Sequence, residues 1–323
     1  MLYPIKFTPL LKERIWGGKD LEKYGKKITS AEPVGESWEI SGVAGDISVV
    51  ANGSLKGNNL QELIEIYMGD LVGDKVYQAF GEEFPLLIKL IDAQDNLSIQ
   101  VHPDDELSKT RHNAYGKTEM WYVVDHNPGA ELLLGFNQEV NKAKYIEFLE
   151  KGELDKLLCK VPVSKDDAFF IPAGTIHAIG SGMLIAEIQQ TSDITYRVFD
   201  FNRTDANGNP RELHTELALD AIEYAVRNDY DVTKIPVDNK DVELVSCQYF
   251  TTNTLKVNGS AEFDLVERDS FTIYMCLEGN VTISTDKGDE TLSKGESILI
   301  PAIVATISFE GNAQLLETFI PEL

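Results

Sequence analysis

The chain has 323 residues, which at roughly 150 residues per domain indicates two domains, with one large domain as the alternative. Its 43% hydrophobic and 25% charged residues are typical of a globular protein and exclude wholesale disorder. No apolar run reaches the length of about 18 residues that predicts a membrane span. The N-terminus has no basic-then-apolar signal segment and the three cysteines are widely spaced, so we expect a cytoplasmic protein.

The formal net charge is −24, from 29 basic and 53 acidic side chains. Such a surface repels nucleic acid and anionic lipid, so neither a nucleic acid nor a membrane is an expected partner. A small anion can bind only where the few cations converge.

Short apolar runs bounded by turn residues dominate the chain and predict short strands. The predicted strands are Phe84–Leu90, Leu97–Val101, Met120–Val124, Ala168–Pro172, Leu184–Ile188, Leu244–Phe250, Ser270–Leu277 and Ser297–Ile300. Glycine breaks such as Asn258-Gly259 and Glu278-Gly279 punctuate them. Many short strands with frequent turns indicate an all-β sandwich or barrel and not alternating β-α-β units.

Helical periodicity is confined to three segments. Asn59–Met68 begins with a capping residue and has Glu62 three positions later, as in a capping box. Asn141–Leu158 is amphipathic and interrupted at Gly152, and Leu213–Val226 carries apolar residues at helical spacing. We therefore predict a mainly-β protein with a few helices.

A polar stretch from about residue 228 to 241 follows the last predicted helix. It predicts a boundary between an N-terminal domain, residues 1–235, and a C-terminal domain, residues 236–323. An internal repeat supports two related domains, because Lys165–His177 aligns without gaps to Lys294–Thr306 at an offset of 129 residues.

Metal-capable side chains stand at the ends of several predicted strands. Gln100 and His102 are two residues apart, so both point to one side of a strand. Glu119 precedes another strand, and His177 ends the turn that follows a third. Two histidines, one carboxylate and one amide suit a divalent transition metal with an open position for water or substrate. A zinc-like ion on these groups would carry a net charge of about +1 and attract an anion.

Four cations adjoin the same strands. Lys89 lies inside an apolar run, where its charge must snorkel or face a cleft. Lys117 is two residues before Glu119, while Arg197 and Arg203 follow a polar segment. Converging, these groups would bind a sugar phosphate; separately, each is equally well explained as a solvated surface charge.

Four motifs combine in an order and spacing typical of one enzyme family. They are Leu97-Ser-Ile-Gln-Val-His-Pro103, Gly116-Lys-Thr-Glu119, Pro172-Ala-Gly-Thr-Ile-His-Ala178 and Ser192-Asp-Ile-Thr-Tyr-Arg197. Together they closely resemble type I mannose-6-phosphate isomerase, as do Ile15-Trp-Gly-Gly18 and Gly35-Glu-Ser-Trp-Glu39. The motifs cover about residues 15 to 203, and the C-terminal part fits less distinctively.

The resemblance implies a zinc enzyme of two cupin-type jelly-roll barrels that interconverts mannose 6-phosphate and fructose 6-phosphate. One zinc per chain is implied, with the ligands Gln100, His102, Glu119 and His177. The implied active-site positions are Ser98, Lys89, Lys117, Asp193 and Arg197. Arg203 stands where many relatives have lysine, which keeps the charge. The missing large helical insertion is typical of the short bacterial form.

Such an isomerase moves a proton between neighbouring carbons and stabilises an enediolate. A zinc ion polarises the sugar oxygens, a positioned cation stabilises the same charge, and a base completes the set. Glu187, Asp193 and Lys117 are the candidate bases, and the sequence leaves all three open. We expect Arg197 and Lys117 to be essential. Substrate binding is expected from Ser98, Lys89 and Arg203.

Two other functions compete with this hypothesis. A metal-dependent oxygenase of the same barrel class would use a His/His/carboxylate iron site without needing several cations. A sugar-binding cupin without activity would keep the cations and tolerate a poor metal site. We expect a monomer or a homodimer in either case.

The C-terminal domain is expected to lack both metal and catalysis. Where the first repeat has Gly174 and His177, the second has Ile303 and Thr306. No histidine follows His214, and a threonine does not replace imidazole as a zinc ligand of similar strength.

Overall fold

A computed structural model describes residues 1–204 and 208–322 and consists mainly of antiparallel strands. The strands of the first part are β1 (Ile5–Thr8), β2 (Leu10–Gly18), β3 (Val34–Ser41), β4 (Val49–Val50), β5 (Leu86–Ala93), β6 (Ile99–Val101), β7 (Glu119–His126), β8 (Glu131–Phe136), β9 (Leu158–Pro162), β10 (Ala168–Ile171), β11 (His177–Ile179), β12 (Met183–Gln190) and β13 (Tyr196–Phe199). Those of the second part are β14 (Asp241–Ser246), β15 (Thr251–Asp264), β16 (Thr272–Thr285), β17 (Gly288–Ser293), β18 (Ser297–Ile300) and β19 (Thr306–Phe319). The mainly-β prediction is confirmed.

The helices are short and lie between strands. They are α1 (Leu60–Tyr67), α2 (Gly69–Val72), α3 (Asp74–Phe80), α4 (Asp105–His112), α5 (Lys142–Glu150) and α6 (Thr215–Ala221). Short 3₁₀ helices occur at Asp20–Tyr24 and at Leu154–Leu157. No helix among the described residues is long and apolar enough to span a membrane.

The first barrel consists of two antiparallel sheets. One has the strand order β10-β7-β12-β5-β3-β2 and the other has the order β13-β6-β11-β8-β9. Alternation along β7 separates two environments: Trp121 and Val123 face the barrel interior with Leu134 of the other sheet. Met120 and Tyr122 face the opposite side and join a different apolar cluster. Any polar residue in phase with Trp121 is therefore directed into the barrel.

The second barrel is built from one eight-stranded sheet. Its strand order is β14-β15-β19-β16-β18-β1-β4, with β17 paired to β16. Its interior contains Tyr274, Ile298 and Phe309, all nearly inaccessible to solvent. Strands β1 and β4 come from the beginning of the chain, so that segment completes the second barrel. The predicted boundary at residues 235 and 236 stays a prediction.

An apolar layer joins the two barrels. Met120 and Ile188 of the first barrel share a buried cluster with Phe250, Ile273 and Leu316 of the second. Burial of each such side chain contributes about 1.5–3 kcal/mol relative to exposure. The two barrels are therefore expected to depend on each other for stability.

The internal repeat corresponds to equivalent strands. Strand β10 begins and ends 129 residues before β18, the offset of the sequence repeat. Each strand pairs antiparallel with a central strand of its own barrel, β7 in the first and β16 in the second. The repeat prediction is confirmed, and it allows the two barrels to be compared residue by residue.

Several predicted boundaries are wrong. Residues 247–250 form a turn in which the Cys247 N–H donates to the Phe250 carbonyl, so the strand predicted at Leu244–Phe250 ends at Ser246. The breaks at Gly259 and Gly279 lie inside the 14-residue strands β15 and β16. Both glycines have positive φ, which lets a continuous strand bend without ending.

The helix predictions are partly confirmed. Helix α1 has the full capping box, in which Asn59 and Glu62 exchange hydrogen bonds. The segment from Asn141 holds α5 and a 3₁₀ turn separated at Gly152, whose φ is +67°. The helix predicted over Leu213–Val226 ends at Ala221, because Ile222 is extended. Helices α2, α3 and α4 were not anticipated, since their apolar spacing is weak.

Candidate metal centre and active site

A row of polar side chains crosses the inner face of the six-stranded sheet. On adjacent strands β7, β12 and β5, Trp121 is opposite Glu187 and Glu187 is opposite Lys89. Directly paired residues project to the same face, so all three enter the barrel. Glu119 is two residues before Trp121 and therefore joins them.

A second row crosses the facing sheet. On strands β13, β6 and β11, Arg197 is opposite Gln100 and Gln100 is opposite His177. His102 follows the end of β6, two residues after Gln100. The two sheets thus bring the predicted metal ligands and Arg197 into one interior.

His102, Glu119 and His177 form a buried cluster whose ligating atoms lie within 4.8 Å of one another. The Nε2 atom of His102 is 3.5 Å from Glu119 Oε2, and that of His177 is 3.4 Å from Glu119 Oε1. All three side chains are at most 1% exposed. Three unrelated segments of sequence therefore converge on one point.

Backbone carbonyls fix both imidazole rings. The Nδ1 of His102 is 2.9 Å from the Ile194 carbonyl, and the Nδ1 of His177 is 2.9 Å from that of Thr175. Nδ1 must be the protonated nitrogen in each ring, so each Nε2 presents its lone pair to the cluster. This arrangement is the usual support of metal-binding histidines.

The cluster has the polar groups that a metal would satisfy. Among the described residues, His177 Nε2 and Glu119 Oε1 are buried without a hydrogen-bond partner, while Glu119 Oε2 has the Lys117 ammonium 3.0 Å away. Burying such groups unpaired is costly. A divalent ion bound by two imidazoles and one carboxylate would remove this cost, so the residues fit the metal that the resemblance implies. Gln100 shares the face of His177, and its role as a fourth ligand stays a prediction.

The turn before β11 depends on Gly174. Its φ is +85°, a conformation that disfavours other residues. Its N–H donates to the His102 carbonyl at 2.8 Å. This bond joins the two segments that carry His102 and His177, which explains the spacing of the Pro172–His177 motif.

The ammonium group of Lys117 contacts both the metal cluster and the inner row. Its Nζ is 3.2 Å from His102 Nε2, 3.0 Å from Glu119 Oε2 and 3.9 Å from Glu187 Oε1. Burial works to lower the pKa of Lys117, but the two carboxylates outweigh it and raise that pKa. Lys117 is therefore a cation in this pocket.

The two buried carboxylates have opposite pKa shifts. Burial raises the pKa of Glu119 to about 7, although Lys117 opposes the shift. Burial also acts to raise the pKa of Glu187, but Lys89 and Lys117 together lower it to about 2. Lys89 Nζ and Trp121 Nε1 each donate to Glu187 at 2.9 Å. Glu187 is therefore held as an anion and Glu119 is the more readily protonated group.

An arginine group lies beyond Arg197. Arg203 and Arg211 both bind the buried Asp200 carboxylate. Burial is the main cause that lowers the pKa of Arg197, and Arg203 adds to it; burial and then Arg197 lower the pKa of Arg211. Arg197 donates to the Glu212 carbonyl at 2.9 Å, while its Nε is buried and has no partner in the described part of the chain. Arg203 also lies 3.9 Å from the exposed Asp95 carboxylate, so this group concentrates three cations beside two carboxylates in an acidic protein.

The remaining predicted residues lie in two places. Ser98 is buried immediately before β6, and Arg203 donates to the Asn96 carbonyl two residues earlier. Asp193 is exposed and lines a separate cavity of about 1010 Å³ between the barrels, together with Tyr249 of the second barrel. The structure thus places Arg203 against the segment that leads to Ser98, and places Asp193 in this cavity next to Ile194, whose carbonyl fixes the His102 ring.

Sequence reasoning missed Trp121, Arg211 and Asp200. Trp121 had a usable signal, because it follows Glu119 by two residues in one strand and so shares its face. Arg211 and Asp200 had none, since their approach to Arg197 depends on the path of the chain between strands.

Comparisons with known proteins identify the family of the chain. Residues 5–139 match the family described as phosphomannose isomerase type I, catalytic domain, and residues 240–320 match the mannose-6-phosphate isomerase cupin domain. The chain is 37% identical to mannose-6-phosphate isomerase ManA of Bacillus subtilis, covering 97% of this chain and 98% of that protein. It is 34% identical to the mannose-6-phosphate isomerase of Streptococcus mutans, covering 98% of each.

A solved structure extends the agreement to the whole fold. The crystal structure of mannose 6-phosphate isomerase from Bacillus subtilis matches with a TM-score of 0.87 at 34% identity, covering 98% of this chain and 99% of that one. The fold and site define an enzyme of the cupin class with a buried His/Glu/His centre. The chain belongs to the type I mannose-6-phosphate isomerase family.

Proposed function

We propose that this enzyme interconverts mannose 6-phosphate and fructose 6-phosphate, with one zinc held by Gln100, His102, Glu119 and His177. The supporting observation is the cluster in which two fixed imidazole Nε2 atoms meet a buried carboxylate whose Oε1 has no hydrogen-bond partner among the described residues. Full-length similarity to proteins named for this activity supports the substrate. Zinc in this position would polarise the sugar oxygens at C1 and C2.

The reaction moves one proton between neighbouring carbons. The C2–H bond of the aldose breaks and an enediolate forms; a proton then arrives at C1, and the O2 hydroxyl proton passes to O1 as C2 becomes the carbonyl. We assign this transfer to the pair Lys117 and Glu187, which lie 3.9 Å apart. Lys117 carries a proton and Glu187 does not, so one member can donate while the other accepts. Asp193, which lines the separate cavity, stays a prediction.

The phosphate group is assigned to the arginine side of the interior. Arg197 would neutralise the negative charge of substrate or enediolate, and its Nε, which has no partner among residues 1–204 and 208–322, is available for a further hydrogen bond. Arg203 and Ser98 would bind the phosphate, with Lys89 holding Glu187 in place. Inside the barrel, Lys89 and Lys117 balance Glu119 and Glu187, so a divalent ion and the arginines would make the site attractive to an anion.

The test combines metal analysis with a coupled assay for fructose 6-phosphate formation. We expect about one zinc per chain, loss of turnover on chelation and recovery on adding zinc. Deuterium from solvent should appear at C2 of mannose 6-phosphate during the reverse reaction, as proton transfer through an enediolate requires. Oxygen consumption with an iron centre would indicate the oxygenase alternative, and tight sugar binding without turnover would indicate the binding protein.

A further inference from the structure

A carboxylate outside the barrel interior joins three parts of the chain. Asp105, at the start of α4, accepts through Oδ1 from the Gly116 N–H at 2.8 Å and from Gln190 Nε2 at 2.9 Å. Its Oδ2 accepts from the Tyr249 hydroxyl at 2.6 Å. Asp105 lies outside the barrel interior that contains the metal cluster.

Two of these bonds hold the segment that carries Lys117 and Glu119. Gly116 is the first residue of that segment, and the Gln190 side chain also accepts from the Thr118 N–H at 2.9 Å. The backbone N–H groups of Gly116 and Thr118 are therefore both held, the first by Asp105 and the second by Gln190. A side chain at Gly116 would place its Cβ 2.6 Å from the Asp105 backbone nitrogen, so close approach requires glycine there.

The third bond crosses between the barrels. Tyr249 lies in the turn between β14 and β15, next to Phe250, which is fully buried in the layer between the barrels. Burial first, and then the bond to Asp105, raise the pKa of Tyr249 above its ordinary value. The phenol therefore remains a proton donor to Asp105 at neutral pH.

We propose that Tyr249 and Asp105 are positioning residues for Lys117 and Glu119, through which the second barrel contributes to the catalytic centre without contacting substrate. The proposal rests on the proposed function for its kinetic readout and on the metal site for its binding readout. The physical basis is that the hydrogen-bonded backbone is next to the functional side chains in sequence, because Thr118 lies between Lys117 and Glu119.

Small displacements matter at this centre. Lys117 Nζ lies within 3.2 Å of both His102 Nε2 and the Glu119 carboxylate. Misplacement by about 1 Å can cost roughly 100-fold in rate even when the altered residue is far from the chemistry. A loosened segment 116–119 would therefore change zinc affinity and turnover before it changes overall stability.

The decisive variant is Tyr249→Phe, which removes the hydroxyl and keeps the ring in its packing. Removing a direct supporting partner of a metal ligand typically costs about 10- to 100-fold; Tyr249 acts further away, so we expect roughly 3- to 10-fold. Zinc affinity, measured by competition with a chromophoric chelator, and kcat should both fall by this amount. KM should change little, because no substrate contact is lost.

Tyr115→Phe is the matched control. The Tyr115 hydroxyl donates to Glu83 at 2.5 Å and lines the same cavity, but does not bind Asp105. This variant should keep zinc affinity and kcat. Asp105→Asn retains an Oδ1 acceptor and can donate to the Tyr249 oxygen, so it should be close to the parent, whereas Asp105→Ala should exceed Tyr249→Phe in both losses.

Unchanged zinc affinity and kcat in Tyr249→Phe, with only a lower melting temperature, would overturn the proposal. Should Asp105→Ala fail to fold, the Tyr249→Phe and Tyr115→Phe pair still decides it. Should the parent protein lack isomerase activity, the proposed function fails, but the difference in zinc affinity between those two variants still supports or overturns the positioning role.

Discussion

The two barrels hold equivalent rows of buried side chains. In the first, Glu187 lies between Trp121 and Lys89 on neighbouring strands. In the second, Glu317 lies between Tyr274 and Asn253, at the same position relative to the repeated strand. In both rows the aromatic side chain and the other neighbour donate to the central carboxylate.

The two rows differ in what surrounds them. In the second barrel Arg268 donates to Glu317 at 2.8 Å and to Thr272, which stands at the position equivalent to Glu119. Arg268 therefore occupies the space beside this row, and both Glu317 oxygens accept hydrogen bonds. In the first barrel Glu119 Oε1 and the adjacent His177 Nε2 lack hydrogen-bond partners among the described residues.

The difference shows how one scaffold gives two outcomes. A buried glutamate with donors on both sides is compatible with either barrel and does not by itself make a site. The first barrel departs from the second by adding unsatisfied ligand atoms and a group of arginines. We therefore attribute chemistry to the first barrel and structural support to the second.

The largest effect should come from removing the imidazoles. The double substitution of His102→Ala with His177→Ala deletes two of the proposed ligands, so tight zinc binding and turnover should both be lost while the fold persists. Elemental analysis and circular dichroism check this. Thr306→Ala, at the position equivalent to His177, should change neither property. Stoichiometric zinc in the double variant would contradict the comparison.

Arginines of the two barrels should separate catalysis from stability. Arg197→Ala should lower turnover by about 10²–10³, the usual effect of removing one preorganised charge-stabilising group. Arg268→Ala should keep kcat but lower the free energy of unfolding by about 1–3 kcal/mol, because Glu317 loses a donor. Steady-state kinetics and urea unfolding measure the two effects. A near-normal kcat/KM for Arg197→Ala would place it outside the site.

The equivalent glutamates of the two barrels, Glu187 and Glu317, should differ in their effect on turnover. Glu187→Gln keeps the shape and the Trp121 bond but removes the anion between two ammonium groups, so we expect turnover to fall by roughly 100-fold. Glu317→Gln removes the partner of Arg268 and should affect only stability. Equal kinetic losses in both variants would show that the second row also serves the reaction.

The smallest predicted effect is a pH dependence of stability. Glu187 has a pKa lowered from 4.5 to about 2, so its stabilising contribution is full above about pH 4.5 and is lost as pH falls toward 2. Glu187→Gln should therefore flatten the decline in melting temperature over that window. Calorimetry across the acid range measures it. An identical acid profile for parent and variant would show that ionisation of Glu187 does not contribute to stability.

The sequence predicted what short-range periodicity can carry. Alternation placed Gln100 and His102 on one face, and polar residues in apolar strands marked Glu119 and His177. The position of Asp193 could not be predicted, because periodicity does not determine which way a loop side chain turns. The bond between Asp105 and Tyr249 joins residues 144 positions apart and leaves no local signal.

The fold was limited in the same way. Strands β2 and β3 contain charged and glycine residues that obscure alternation, so neither was predicted. In the sequence, a long strand such as β15 looks like two strands joined by a turn, because a glycine such as Gly259 is found both at a bend within a strand and at a hairpin turn. Pairing of β1 with β18 depends on tertiary contacts alone.

Anomalous diffraction from crystals grown with excess zinc would locate the metal in the protein. We expect one strong peak per chain, between His102 Nε2, His177 Nε2 and the Glu119 carboxylate, and none beside Glu317 in the second barrel. A peak of comparable height in the second barrel, or the absence of zinc at the His/Glu/His cluster, would contradict the assignment of chemistry to the first barrel.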